Sequence, residues 1–344
     1  EKYRSDKKKN PYAITKNDIS DIVSEITSIP SERLSDDEKN KIIHMNESLK
    51  RFIIGQDEAI DMVCKSLKRN KVGLSDSTKP ILISLLCGPS GVGKTLLAKR
   101  LAMEMYGTEK SMIRIDMSEF SEKSSISKLI GTSAGYIGYD DTNMLTDKVK
   151  NHPYSLILLD EIEKAHEEIF NLLLQVFDDG RLTDGKGNTV SFKNAIILMT
   201  SNVGAKNASL NERPIGFAGN EEIQKKSIYE KSIKKKFNPE FINRLDSIIY
   251  FNSLSDENIK NIIKMELGYL SDKLEKTGKK LKYDDDIIDY VFNGIKDKRE
   301  YGARPIQRFI ADNIEDALVD EILSNEKSKT FSMSVDKEKI AIRA

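Results

Sequence analysis

Residues Gly88-Pro89-Ser90-Gly91-Val92-Gly93-Lys94-Thr95 combine what a polyphosphate needs from a polypeptide. Gly88, Gly91 and Gly93 let the backbone curl so that successive N–H groups point at phosphate oxygens. Lys94 brings a compact positive charge for the β- and γ-phosphates, and the Thr95 hydroxyl is placed to ligate Mg²⁺. The stretch from Leu96 to Met103 reads as a helix whose N-terminal dipole faces the same anion, with Leu96 closing the nucleotide-contacting set. An apolar run, residues 81–87, precedes the loop, and a buried strand feeding a glycine-rich turn is the context that makes such a pattern a site. It predicts that the chain binds a nucleoside triphosphate.

Two further strand ends carry chemistry. The apolar run 155–159 ends in Asp160-Glu161. Asp160 stands where a carboxylate can hold the Mg²⁺ shell, mostly through water. Glu161 is placed to accept a proton from an attacking water, and the pair favours hydrolysis over binding alone. The run 195–200 ends in Ser201-Asn202, so that Asn202 would lie between the neighbouring phosphate sites and could orient that water. No Asn/Thr-Lys-x-Asp sequence of the guanine-reading kind is present.

These residues need a scaffold that brings strand ends together. Candidate strands are 81–87, 112–117, 155–159, 195–200 and 247–251, several of them apolar on both faces as in a parallel sheet covered by helices. The alternation with helical periodicity predicts a doubly wound α/β domain with ligands at the carboxyl ends of its strands. Before it, residues 1–10 read as a disordered tail, and 11–50 as lead-in helices. The first of these starts at a capping box, Thr15-Lys16-Asn17-Asp18, and another runs from about Asp36 to Arg51. The large domain spans 51–252, and 253–344 form a small, mostly helical domain with a hinge near 252–255. There Ser255 can cap a helix carrying Ile259, Ile262, Ile263, Leu267, Leu270 and Leu274, another helix follows Asp285, and a third starts at Pro305. Residues 330–343 alternate like one or two short strands.

At 344 residues the chain can build two cores. Its 55 basic and 55 acidic residues cancel, which argues against nucleic acid or a membrane surface as partner. The local runs at Lys7–Lys9 and Lys234–Lys236 read as a solvated tail and a helix face. Cys64 and Cys87 cannot make a disulfide framework and read as reduced thiols. With no spanning segment and no signal peptide core, the expected setting is a cytoplasm or an organelle matrix rather than secretion.

With these strand ends in place, the sequence resembles the Clp-type AAA+ protein unfoldases over nearly its whole length, and within them the second, carboxy-terminal ATPase module of the two-module members. The resemblance lies in Ile53-Ile54-Gly55-Gln56-Asp57-Glu58-Ala59, the phosphate loop, Arg114-Ile115-Asp116-Met117-Ser118-Glu119-Phe120 and Gly135-Tyr136-Ile137-Gly138-Tyr139. It continues in Leu159-Asp160-Glu161-Ile162-Glu163-Lys164-Ala165-His166, Asp179-Gly180-Arg181-Leu182-Thr183-Asp184, Phe241-Ile242-Asn243-Arg244-Leu245-Asp246 and Tyr301-Gly302-Ala303-Arg304-Pro305.

The resemblance implies an AAA+ three-layer domain with a parallel sheet, plus a small helical domain with a short sheet, working with ATP/ADP and Mg²⁺ in a homo-hexamer. By the same resemblance Ile53 and Ile54 would contact adenine, and Asn202 would be the sensor between the phosphate sites. Arg304 would reach the γ-phosphate within its own subunit, whereas Arg244 would be the finger reaching a neighbour's ATP. Tyr136, with Ile137, would project into the axial pore and grip an unfolded polypeptide. Here the chain departs from the family, with Ser133-Ala134 for two prolines and Thr142-Asn143 for two glycines, changes that bear on the loop's stiffness. Ile26 likewise stands for a tryptophan and Ser28 for a glycine. Ile215-Gly216-Phe217, between the sensor strand and the finger helix, matches the tripeptide by which degradation unfoldases dock on a ClpP-type peptidase. The alternatives are a disaggregase that releases its substrate and a non-hydrolysing ring scaffold, against which Lys94, Asp160, Glu161, Arg244 and Arg304 all speak.

Overall fold

The computed structural model describes residues 38–71, 76, 78–131, 144–205, 221–336 and 339–344, together with 14, 15, 18, 19 and 22. At the capping box, Thr15 N–H donates to Asp18 Oδ2 at 2.7 Å and Asp18 N–H returns to Thr15 Oγ1 at 3.3 Å. Helices α1 (Glu38–Phe52) and α2 (Asp57–Lys71) lead into the sheet. Strand β1 (Leu82–Cys87) runs into the phosphate loop and α3 (Lys94–Tyr106). Then come β2 (Met112–Asp116), the short α4 (Ser127–Ile130) and α5 (Leu145–Asn151), β3 (Leu156–Asp160) and α6 (Glu167–Asp179). A hairpin of β4 (Arg181–Thr183) and β5 (Thr189–Ser191) precedes β6 (Ile196–Ser201), α7 (Glu221–Lys236), α8 (Pro239–Asn243) and β7 (Ser247–Tyr250).

Five of these strands form one parallel sheet in the order β2-β3-β6-β1-β7. Alternate residues of each central strand feed two different cores. Ile83, Leu85, Ile157, Leu159, Ile197 and Met199 enter one apolar cluster, and Leu82, Leu86, Leu156, Leu158, Ile196 and Leu198 the other. That two-sided burial is the physical reason these strands read as unbroken apolar runs, and it makes a three-layer α/β domain. The register sets Cys87 against Ser201 and Asp116 against Asp160, so the carboxyl ends of β1, β2, β3 and β6 emerge on one edge.

A third cluster is built from α9 (Asp256–Lys276), α10 (Asp285–Gly294), α11 (Arg304–Ile310) and α12 (Asp316–Ser324), with β8 (Lys280–Tyr283), β9 (Thr330–Asp336) and β10 (Lys339–Arg343). Ser255 does cap α9, its Oγ accepting the Asn258 N–H at 3.1 Å. Helix α11 begins at Arg304, one residue before the expected Pro305, and a π-helical turn, Ala311–Glu315, joins it to α12. The tail forms two antiparallel strands, and β9 also pairs in parallel with β8, which sequence reading did not anticipate. Lys234, Lys235 and Lys236 are exposed in the last turn of α7, where cations suit the helix dipole. Both cysteines are buried free thiols.

The two parts meet around residues 252–256. Gln56, buried before α2, clamps the strand that leaves the sheet: its Nε2 donates to Asn252 O at 2.9 Å and its Oε1 accepts Asn252 N–H at 3.0 Å. Leu254 packs against both the second and third apolar clusters. Ile53 belongs to the large-domain cluster, whereas its neighbour Ile54 packs on the small-domain one.

Candidate nucleotide site

A cleft of about 680 Å³ opens where these parts meet. From the loop and its helix it is lined by Ser90, Gly91, Val92, Gly93, Lys94, Thr95 and Leu96, and from the lead-in by Ile53 and Ile54. Asp160, Glu161 and Asn202 line it from the strand ends, and Arg304 from the small domain. Gly88 and Pro89 sit behind, their carbonyls turned to Lys94. Arg244 does not line the cleft. Tyr136 and Ile137, Ile215, Gly216 and Phe217, and the departures at 133, 134, 142 and 143 lie outside the described residues, as do Ile26 and Ser28.

Gly91 and Gly93 hold φ of 74° and 107°, left-handed values that let the loop curl. The space beside them differs. A methyl on Gly93 would meet only Ile53, at 3.5 Å, so that position faces the open cleft. On Gly91 it would lie 2.0 Å from Tyr301 O, because the small domain packs directly on the loop. Ala303 N–H also donates to Gly91 O at 2.9 Å. The phosphate loop and the small domain are therefore hydrogen-bonded backbone to backbone, one residue before Arg304.

Lys94 Nζ donates to Gly88 O, Pro89 O and Asn202 Oδ1 at 2.6, 2.7 and 2.8 Å. Burial pushes its ammonium down to about 8, the carboxylates of Glu163 and Asp160 oppose that, and Arg304 adds to it. This predicts a pH signature. Triphosphate binding would favour the charged lysine, so above about pH 8 the free site must take up a proton to bind. ATP affinity should be flat below that pH and fall by up to about tenfold per pH unit above it. Calorimetric titrations from about pH 7 to about pH 9.5 check this, and constant affinity across that range would contradict it.

The acidic pair is held by residues that sequence reading left without a role. Thr200, buried in β6, donates its hydroxyl to Asp160 Oδ1 and accepts Glu161 N–H at 3.0 Å. Arg114 closes on Asp160 Oδ2 with Nη2 at 2.6 Å and Nε at 3.1 Å. Glu161 has φ 56°, the sole left-handed non-glycine residue among those described. That conformation costs about 1–2 kcal/mol and turns the chain sharply off β3, presenting the carboxylate to the cleft. Glu161 Oε2 pairs with Lys164. Glu163 Oε1 accepts Asn202 N–H at 3.0 Å and so fixes the residue that accepts from Lys94, while its Oε2 is buried with no hydrogen-bond partner among the described residues. Thr200 was findable as a hydroxyl inside an apolar strand, and Arg114 as a charge between Ile113 and Ile115 in mid-strand.

The residues present fit a Mg-nucleotide. The loop leaves an open cradle at Gly93, Thr95 lines the cleft, and Asp160 is a buried carboxylate at its floor.

Comparison with known proteins places this geometry. Residues 79–248 match the family model described as "AAA domain (Cdc48 subfamily)", and 254–335 the "C-terminal, D2-small domain, of ClpB protein". The chain is 44% identical over 320 residues to the ATP-dependent Clp protease ATP-binding subunit ClpE of Streptococcus pneumoniae, covering 92% of this chain and 42% of that protein. It is 46% identical over 314 residues to the chaperone protein ClpB of Oceanobacillus iheyensis, covering 90% of this chain and 39% of the relative. A Saccharomyces cerevisiae Hsp104:casein complex in an extended conformation superposes with a TM-score of 0.82 at 36% identity, over 96% of this chain and 57% of that one. The chain thus spans about two fifths of the length of the curated relatives it matches.

Proposed function

The chain belongs to the Clp-type AAA+ ATPases, as their second, carboxy-terminal ATPase module, and on that premise we propose that it hydrolyses ATP as one subunit of a hexameric ring that threads unfolded polypeptide through an axial pore. The observation that carries this reading is the separation of two arginines. Arg304 lines the same cleft as Lys94 and Glu161, whereas Arg244 stands outside it. One arginine serves its own site, and the other serves a neighbour's.

In that site Ile53 and Ile54 take the adenine, one from each side of the hinge. The loop N–H groups and Lys94 hold the β- and γ-phosphates. Thr95 and Asp160 would hold Mg²⁺, whose charge would offset that of the phosphates. Asn202 orients the attacking water and Glu161 accepts its proton. Arg304 contacts the γ-phosphate from α11, so the small domain closes on ATP and is released after hydrolysis through the Gly91–Ala303 connection. The resulting motion moves Tyr136 and Ile137 along the substrate, an aromatic grip that needs no particular hydrogen bond.

Ile215, Gly216 and Phe217 would dock the ring on a ClpP-type peptidase. Deleting these three residues from the full-length assembly should abolish ATP-dependent degradation by the matching peptidase while leaving ATP turnover intact. Equal degradation by the deleted protein would reject the loop's role. The disaggregase reading draws support from the ClpB small-domain match and the Hsp104 likeness; it expects the same degradation, near background, with or without the loop. The compartment is a cytoplasm or an organelle matrix; among the described residues no helix is long and apolar enough to cross a membrane.

A further inference from the structure

Arg244 does not stand alone on its surface. Its Nε donates to Asp178 Oδ1 at 2.5 Å, and its two terminal nitrogens make no hydrogen bond to any described residue. Both side chains are more than a third exposed, at 36% and 38%, and Lys79 Nζ reaches the same Asp178 oxygen from 4.0 Å. A pair so open to water contributes little to stability. Its geometry, by contrast, is specific: the carboxylate grips the inner nitrogen and leaves the outer fork of the guanidinium without a hydrogen-bond partner among the described residues. That fork is the part of an arginine that matches phosphoryl oxygens bidentately.

Both residues ride on elements welded together. Asp178 is on α6 directly after Phe177, and Arg244 follows α8, its N–H donating to Phe241 O at 3.2 Å. Phe241 lies 5.0 Å from Phe170 and 5.6 Å from both Phe177 and Phe237, ring centre to ring centre. Three of those rings, Phe177, Phe237 and Phe241, are buried. The helices are thus held by an aromatic cluster whether or not the ion pair forms, so the ion pair is left to set where the guanidinium points.

Resting on the proposed trans-acting role of Arg244, we propose that Asp178 is its positioning residue, holding the finger by Nε so that its terminal nitrogens are presented to the γ-phosphate in the neighbouring subunit. Rotamer freedom in a long arginine side chain is removed before the subunits' transition state needs it.

The test uses Asp178→Ala, Asp178→Asn, Arg244→Ala and the Asp178→Ala/Arg244→Ala double variant in the full-length assembled protein. Asp178→Ala should lower kcat for ATP hydrolysis by about tenfold to a hundredfold with KM for ATP nearly unchanged. Asp178→Asn, which keeps an oxygen acceptor, should recover most of that loss. Melting temperatures should stay within about 2 °C of the parent. In the Arg244→Ala background the Asp178 change should cost nothing further. Additive losses in the double variant, or wild-type kcat for Asp178→Ala where Arg244→Ala is impaired, would overturn the positioning role. Wild-type turnover in Arg244→Ala itself would overturn the finger reading on which it rests.

Discussion

Replacing Glu161 with glutamine should lower kcat for ATP hydrolysis by about 10²–10⁴-fold while ATP binding and assembly persist. The amide keeps the size and shape of the carboxylate but cannot accept the proton of an attacking water. The backbone keeps its anchor through the change, because Thr200 holds Glu161 through its N–H rather than its side chain. What the variant loses besides the base is the ion pair with Lys164, an exposed contact of small energetic value. Binding should survive because the loop, Lys94 and Arg304 are untouched. Steady-state turnover beside equilibrium nucleotide binding separates the two, and wild-type turnover would remove Glu161 from the role of base.

Arg244→Ala should cost about 10³-fold or more in kcat, with little change in the ATP affinity of the subunit that carries it. The magnitude follows from the charge spread over the transferring phosphoryl oxygens, which a guanidinium neutralises with a planar fork and an ammonium does not reproduce. Arg244→Lys should therefore fail nearly as badly. The unchanged affinity follows from position, since Arg244 does not line its own subunit's cleft. A variant with weakened ATP binding and intact kcat would contradict a trans role.

The sheet was legible because its strands are buried on both faces, so each reads as an apolar run without competition from helical periodicity. The same reasoning could not see β4 and β5, each three residues long with only its central residue buried. Nor could it see β8, where Lys280 and Lys282 flank Leu281 and pairing with the distant β9 decides the conformation. In the site, the loop and the acidic pair were legible because their chemistry depends on adjacent residues. Arg114, Thr200 and Glu163 stood out by residue type at most, and their roles were not legible, because each acts on a residue 39–46 positions away: Arg114 and Thr200 meet at Asp160, and Glu163 meets Asn202. Asp178 belongs with them, since nothing local joins it to Arg244, 66 residues later.

The central claim is that each active site is completed by the next subunit, and mixing the two inactive proteins tests it most directly. Glu161→Gln subunits retain the arginine, and Arg244→Ala subunits retain the base. In equimolar mixed rings, sites of the second kind that face a subunit of the first kind are whole, roughly a quarter of the total on random assembly. The account predicts ATP turnover in the mixture well above that of either parent, approaching that fraction of wild type. Turnover no greater than the average of the two parents would contradict it.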